Sequence, residues 1–468
     1  MMRLKFLVAL FGIGLMTSCH TSKTDFDIRD YGAKGDSITD NAEAIQEAID
    51  DCNKSGGGRV IIPGDGVYMT GPITVASYVD LHLEANAKLL ANPDEKVYNK
   101  SAFRDNKGEG MMWISGTNIV QFSISGKGKI DGNGVAFMGK ELEDSYELKP
   151  VHEFDPRPHV LTLINGKDIR IKDVTIGNSA YWTVHLVGCN DVVVDGVNIL
   201  NNLKIRNGDG IDVDHSKNVR ISNCFIESGD DCICLKNRRE YQELGPCENV
   251  LVTNCTMTSR SCAIKIGSEN MDRISHVVVN NCIIRDSNRG IGIQNRDEGT
   301  VENIIFSNIE VDCKLFSNVW WGKSEAIYVT AYTRKAGDHK DAGWRFPKGM
   351  ADYEVGAVTD ISFNNIKCES ENGVFLGAEA KDKIQNIYFD QVDLMICKRT
   401  NYEGGIYDKR PCKGDEFVKG KTYGFYLDNA SNVNIRNSTV RWGDTRPSYF
   451  ADTMFSQNID GLQTVNLK

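Results

Sequence analysis

A polar residue, an alternating apolar strand and a second apolar pair recur in that order along the chain. The instances begin at Asp168, Asp191, Asn218, Asn249, His276, Asn303, Asp360, Asn386 and Asn432. The steps between them are 23, 27, 31, 27, 27, 57, 26 and 46 residues, and the two long steps are near twice the common one or hold an insertion. Six residues after the first eight starts stand Val174, Val197, Cys224, Cys255, Cys282, Ile309, Ile366 and Val392. Eight residues after them stand Ile176, Ile199, Ile226, Met257, Ile284, Val311, Cys368 and Leu394. In a strand, side chains two apart share a face, so each repeat points both of these residues inward. A repeat of this length, with short strands and Gly or Asn turns, is the unit of a parallel β-helix, whose coils pair with those above and below. The expected fold is therefore all-β, a single-stranded parallel β-helix. Cys224, Cys255 and Cys282 read as stacked core residues rather than redox centres.

A solenoid exposes apolar interior and strand edges at its ends, so it needs caps. Residues 39–52 read as an N-terminal capping helix. Thr39 or Asp40 can N-cap it, and Ala44, Ile45, Ala48, Ile49 and Cys52 make one apolar face. The β-helix domain is expected over residues 25–468. Segments around 95–112, 138–155, 313–356 and 397–422 are long for loops, and long loops are usually functional.

Ahead of this domain lie a basic head, Met1–Lys5, and an apolar run from Phe6 to Met16. That pattern is a secretory signal, too short to span a bilayer. It ends in Leu15-Met16-Thr17-Ser18-Cys19, and small residues before a Cys resemble a bacterial lipobox. Residues 1–18 are thus expected to be a signal peptide. Lipidated Cys19 would tether the protein in the bacterial cell envelope, facing the periplasm or the cell surface, as its sole membrane contact; the alternative is ordinary secretion with a chance Cys.

Composition narrows the partners. The 468 residues are 41% hydrophobic and 25% charged, which is ordinary globular usage. A net charge of −10, from 54 basic and 64 acidic residues, argues against a nucleic-acid partner. Of 14 Cys, lipidation of Cys19 leaves an odd number, so complete pairing is impossible. Cys397 and Cys412 flank a Gly-rich, charged loop and are the best disulfide candidates. The absence of any C-x-x-C pair argues against structural zinc, and no metal or cofactor is expected.

Two acidic motifs stand one coil apart, Asn207-Gly208-Asp209-Gly210-Ile211-Asp212 and Gly229-Asp230-Asp231-Cys232-Ile233. Asp209 and Asp230 are 21 residues apart, a spacing that places them side by side on adjacent coils. Carboxylates gathered on one face repel, so at least one should hold its proton more tightly. Glycoside hydrolysis needs that arrangement: one protonated acid, and one or two carboxylates that activate water. A calcium site or a ladder of Asx turns would explain either motif alone.

These motifs, in this order, resemble the polygalacturonase family of glycoside hydrolases (family 28) over about Asp27 to Asn437. The residues that carry the resemblance are Asp30-Tyr31-Gly32-Ala33-Lys34-Gly35-Asp36, the Gly-rich stretch Gly126–Gly134, Arg157-Pro158, Asn178–His185, Asn207-Gly208-Asp209-Gly210 and Gly229-Asp230-Asp231. The resemblance implies a right-handed β-helix and cleavage of pectic poly- or oligosaccharide with inversion. In that mechanism Asp230 protonates the glycosidic oxygen, while Asp209 and Asp231 position and deprotonate water. Inversion needs room for that water, so carboxyls about 6.5–9.5 Å apart are expected. By analogy, loop walls that close one end of a groove favour attack at chain ends. A calcium-dependent lyase and a non-catalytic glycan-binding β-helix are the alternatives.

The chain departs from the family's pattern at two motifs. The family's Gly-His-Gly reads Ser261-Cys262-Ala263, so Cys262 stands at the His position. The Arg-Ile-Lys motif reads Gly292-Ile293-Gln294, without either cation. Strand alternation points Ile211, Val213, Ile233, Leu235, Ile264, Ile266, Ile291 and Ile293 inward. It sets Asp212, Cys234, Lys265 and Gly292 in one outward row, with Lys236, Gly267 and Gln294 in the next. Lys265 and Lys236 are therefore candidates to meet a substrate carboxylate. Asn207, Gln294, His185 and Tyr328 complete the substrate-binding candidates, and Trp320 and Trp321 could stack on sugars or simply pack.

Overall fold

The computed structural model describes residues 23–104, 108–143, 147–151, 156–334 and 353–468. The signal segment and Cys19 lie outside the described residues, as do parts of three of the four long segments.

From Asp25 to Val465 the chain winds through 33 strands of one continuous, almost wholly parallel sheet, in the right-handed sense. Each coil adds its strands in register to those of the coil before, so that Val192 follows Ile169 and Val219 follows Val192. The expected all-β parallel β-helix is the observed fold. All sixteen inward positions of the repeat are buried in one core that runs the length of the solenoid. Phe306, Phe363 and Phe389 stack within it, with centroids 5.1 and 5.0 Å apart, close to the spacing of neighbouring strands.

The structure explains the polar residue that opens every repeat. All nine starts, from Asp168 to Asn432, have φ between 53° and 60°. That left-handed turn is costly for most side chains and least so for Gly, Asn and Asp. A second left-handed corner falls five residues later, at Asp173, Gly196, Asn223, Asn254, Asn281, Asn308, Asn365, Gln391 and Asn437. The strand alternation gave no sign of this second corner. The Asn corners stack into ladders: Asn249 Nδ2 donates to Asn218 Oδ1 at 3.2 Å, and Asn218 Nδ2 to Asn190 Oδ1, next to the Asp191 corner, at 2.8 Å. Asn218→Ala is expected to cost about 1–2 kcal/mol, read from the urea midpoint, with Asn218→Gly recovering part of it. An unchanged midpoint for Ala would show that the left-handed corner imposes no such penalty.

Both long steps are single coils with insertions. Val301 pairs directly with Val358, and Ile387 with Val433. The capping helix runs Ala42–Lys54 and buries Ile45, Ala48, Ile49 and Cys52. Its N-cap is Asn41, not Thr39 or Asp40, and the Asn41 side chain instead bonds the backbone of Lys34, Thr39 and Met69. Asp40 Oδ1 still accepts from the Ala42 amide. The Cys397–Cys412 disulfide is not formed. Cys397 Sγ faces Glu369 and Cys412 Sγ faces the Asp415 carbonyl, and every described cysteine is free.

Candidate active site

The site lies on the outward side of consecutive strands Val184–Val187, Ile211–Asp214, Ile233–Asn237, Cys262–Asn270 and Arg289–Asn295. The inward partners from Ile211 to Ile293 are all buried in the core. His185, Asp212, Cys234, Lys265 and Gly292 then follow one another in register along one outward row.

The two acidic motifs occupy the turns that lead into these strands. Ile211 pairs with Ile233, so Asp209 lies level with Asp231, one residue off the expected Asp209–Asp230 match. The glycines of the motifs let the two turns touch. A Cβ on Gly210 would come within 2.4 Å of the Cys232 carbonyl oxygen, and one on Gly229 within 2.2 Å of that of Ile205. Arg157, fully buried, holds the first turn by donating to the Ala180 and Arg206 carbonyls and to Asn207 Oδ1. Asn207, at φ 56°, turns its backbone amide onto Asp230 Oδ2 at 3.1 Å.

Asp209, Asp230 and Asp231 thus meet, with one oxygen of each within 4.8 Å of the others. This is closer than the expected separation of about 6.5–9.5 Å. Level turns on stacked coils are held about 4.8 Å apart, which sets the approach. By distance the trio could also accept a cation, although the Lys265 ammonium already lies 2.7 Å from Asp231 Oδ2.

The three carboxyls are not equivalent. Burial, and then the neighbouring Asp231, pushes Asp230 up to about 6. Burial together with Asp212, Asp230 and Asp231 pushes Asp209 well above the usual carboxylate range. Asp231 accepts from the Cys262 amide at 3.2 Å and from Lys265 at 2.7 Å.

Behind it lies a pair that reading the strands singly did not bring out. Asp212 is fully buried and pushed up to about 7 by burial, with the Lys236 ammonium 2.7 Å away opposing that rise. Lys236 in turn lies 3.7 Å over the Trp182 ring. The clue was available: Lys236 is one coil on from Asp214, beside Asp212.

The substrate-binding expectations need correction. Lys236 is 4% exposed and committed to Asp212, so it cannot reach a substrate carboxylate. His185 is buried against Asp214, Trp182 and His159, and burial lowers its proton affinity, so it is a neutral packing residue. Gln294 is buried under a covering segment, donating to the Arg410 carbonyl at 2.6 Å. Tyr328 is fully buried, donates to the Asp408 carbonyl and packs with Phe375 and Tyr407. Only Asn207 and Lys265 of the set reach the solvent side, both half-buried.

The motif that lacks its Arg is not bare. Arg289 is level with Cys262, and its stem fills the space above Gly292, where a Cβ would meet Cys262 Sγ at 2.8 Å and Arg289 Cδ at 3.3 Å. Its guanidinium stacks 3.7 Å from the Tyr328 ring and pairs with buried Glu325. Matching each strand to the next coil, Cys262 to Arg289, would have revealed it.

Two segments cover the flanks. On one side Ala102 and Phe103 pack on Tyr181 and Trp182, with Arg104 tied to Glu240 and Glu243 and the Tyr241 hydroxyl to the Ala102 carbonyl. On the other, the carbonyls of Asp408, Lys409 and Arg410 accept from Tyr328, Arg296 and Gln294. Trp321 is half-buried near the Arg410 guanidinium, and Trp320 is half-buried beside it.

A model of the family described as Glycosyl hydrolases family 28 matches residues 52–314. A probable polygalacturonase from Vitis vinifera is 31% identical over 287 residues, covering 57% of this chain and 56% of that protein. An exopolygalacturonase from Zea mays is 27% identical over 333 residues, covering 66% and 75%. The match thus spans little more than half the length of the Vitis protein. Among solved structures, a family 28 exopolygalacturonase from Yersinia enterocolitica superposes with a TM-score of 0.70 at 19% identity, covering 94% of this chain and 78% of that one. An endo-xylogalacturonan hydrolase from Aspergillus tubingensis gives a TM-score of 0.59, also at 19% identity, covering 81% and 96%.

Proposed function

Because the chain belongs to glycosyl hydrolase family 28, we propose that it hydrolyses glycosidic bonds of pectic poly- or oligosaccharide, with inversion and from chain ends. The observation that carries this reading is the meeting of Asp209, Asp230 and Asp231 at the turns of two stacked coils, with Asp230 pushed up to about 6. A carboxyl at that level keeps its proton in mildly acidic solution and can pass it to the glycosidic oxygen. Asp231, held by Lys265 and the Cys262 amide, is the base that deprotonates water. Asp209 positions that water.

Attack at chain ends is supported by the two covering segments, which flank the catalytic strands on both sides. Product analysis tests it: mono- or disaccharide from the earliest time points, with viscosity falling slowly, is expected on pectic polymers. Rapid loss of viscosity would indicate internal cleavage. The closest carboxylate oxygens are nearer to the separation of retaining enzymes, about 5–5.5 Å, so the first-formed anomer decides the stereochemistry. The opposite anomer is expected by NMR, and retention would make one carboxylate a nucleophile. A panel of galacturonan, rhamnogalacturonan and side-chain oligosaccharides identifies the sugar. An unsaturated product that absorbs in the ultraviolet and is lost with chelator would select a lyase instead. Turnover of any member of the panel disposes of a purely binding role.

The envelope anchor is part of the same proposal. Cys19→Ser is expected to move the protein from the membrane fraction to the soluble one.

A further inference from the structure

The strand Cys262–Asn270 reaches Asp231 twice. The Cys262 amide donates to Oδ1 at 3.2 Å, and the Lys265 ammonium to Oδ2 at 2.7 Å. Both oxygens are therefore fixed by a single rigid element. The other two acids are held differently. Asp230 accepts the Asn207 amide from a turn, and Asp209 Oδ1 has no hydrogen-bond partner. Lys265 can lean across because its row neighbour on the coil that carries Asp231 is the small Cys234. Its side chain is 19% exposed, so the ion pair stands where water reaches the trio.

We propose that Lys265 is a positioning residue of the hydrolytic site, which orients the Asp231 carboxylate and compensates its charge so that it serves as the base. This rests on the hydrolase reading and deepens it. Strand parity alone made Lys265 a candidate to grip a uronide, but its ammonium is already engaged by the catalytic carboxylate. It also lies on the strand where the family's pattern has a His, three residues on from Cys262. The Cys262 thiol is no substitute, since burial raises it far above neutrality and it donates to the Ile264 carbonyl.

The other groups facing Asp231 do not supply this charge. Asp209 and Asp230 are acids of the same trio. Lys236 faces Asp212. The thiols of Cys232 and Cys234 are raised by burial and stay neutral. Among the described residues Lys265 is the cation in contact with the trio. Without it the trio would carry one more net negative charge, and Asp230, whose proton affinity the Lys265 ammonium lowers, would hold its proton to higher pH.

The test compares pH profiles of kcat/KM for the wild type, Lys265→Met and Lys265→Arg on a uronide and on a neutral glycan. Lys265→Met is expected to lower kcat about 100-fold on both substrates and to move the acid limb upward by about one pH unit or more. Lys265→Arg keeps the charge and is expected to restore the limb. An unmoved limb in Lys265→Met, or a loss confined to the uronide, overturns the inference. Lys265→Gln gives the same readout should the Met variant fail to fold. Melting separates this inference from the reading beneath it. A wild type inactive on the whole panel sinks the hydrolase reading, and the catalytic role with it. The ion pair itself still predicts that Lys265→Met loses stability relative to wild type as pH rises, because the partner left buried is an anion. No such divergence would overturn the pairing.

Discussion

Asp230→Asn should lower kcat on a pectic glycan by about 1,000-fold or more, within the range that general acid catalysis supplies. A sugar alkoxide is a poor leaving group unless the glycosidic oxygen is protonated as the bond breaks. Asn keeps the size and the acceptor facing the Asn207 amide but has no proton to give. A synthetic glycoside with an acidic phenol as leaving group should therefore lose much less. Near-normal turnover of the natural substrate by the variant would remove Asp230 from the acid role. The same change should stabilise the fold at neutral pH. A carboxyl raised from 3.8 to about 6 in the folded state binds its proton more tightly there than in the unfolded chain. It thus costs stability as pH rises through that window, by up to about 3 kcal/mol above it. Wild type and variant should have similar midpoints near pH 4 and diverge by pH 7, with the variant the more stable. Identical curves would show that the acid is not held in that state.

Lys236→Met is expected to destabilise the protein by about 3–5 kcal/mol at alkaline pH, the range for breaking one side of a buried ion pair. Asp212 is fully buried, and Lys236 is the cation at 2.7 Å from it. The loss should shrink in acid, because Asp212, pushed up to about 7 even with its partner present, then escapes the penalty by taking a proton. Urea midpoints at acid and alkaline pH read both effects. A loss independent of pH would mean that Lys236 acts through packing on Trp182 rather than through its charge.

The solenoid was legible because its period is written in residue chemistry. Inward strand positions must be apolar, left-handed corners favour Asn, Asp or Gly, and both recur at coil spacing from Asp168 to Asn432. The outward row was legible for the same reason: a period of two leaves no freedom about which face a residue takes. The acidic motifs and the family resemblance followed from local sequence. What parity could not decide is which outward side chain pairs with which, because that depends on distances across coils and on loops folded over them. Lys265 was on the expected row, yet its ammonium turned to Asp231. Lys236 and Tyr328 took outward positions and were still buried, one by Asp212 and Trp182, the other under Asp408. The space over Gly292 was filled from Arg289, on the same strand but level with Cys262. Sequence therefore determined the coil, its core and the meeting of the acids. Tertiary structure decided the charge partners, since a long cationic side chain settles on the nearest buried carboxylate, and strand alternation carries no information about where that lies.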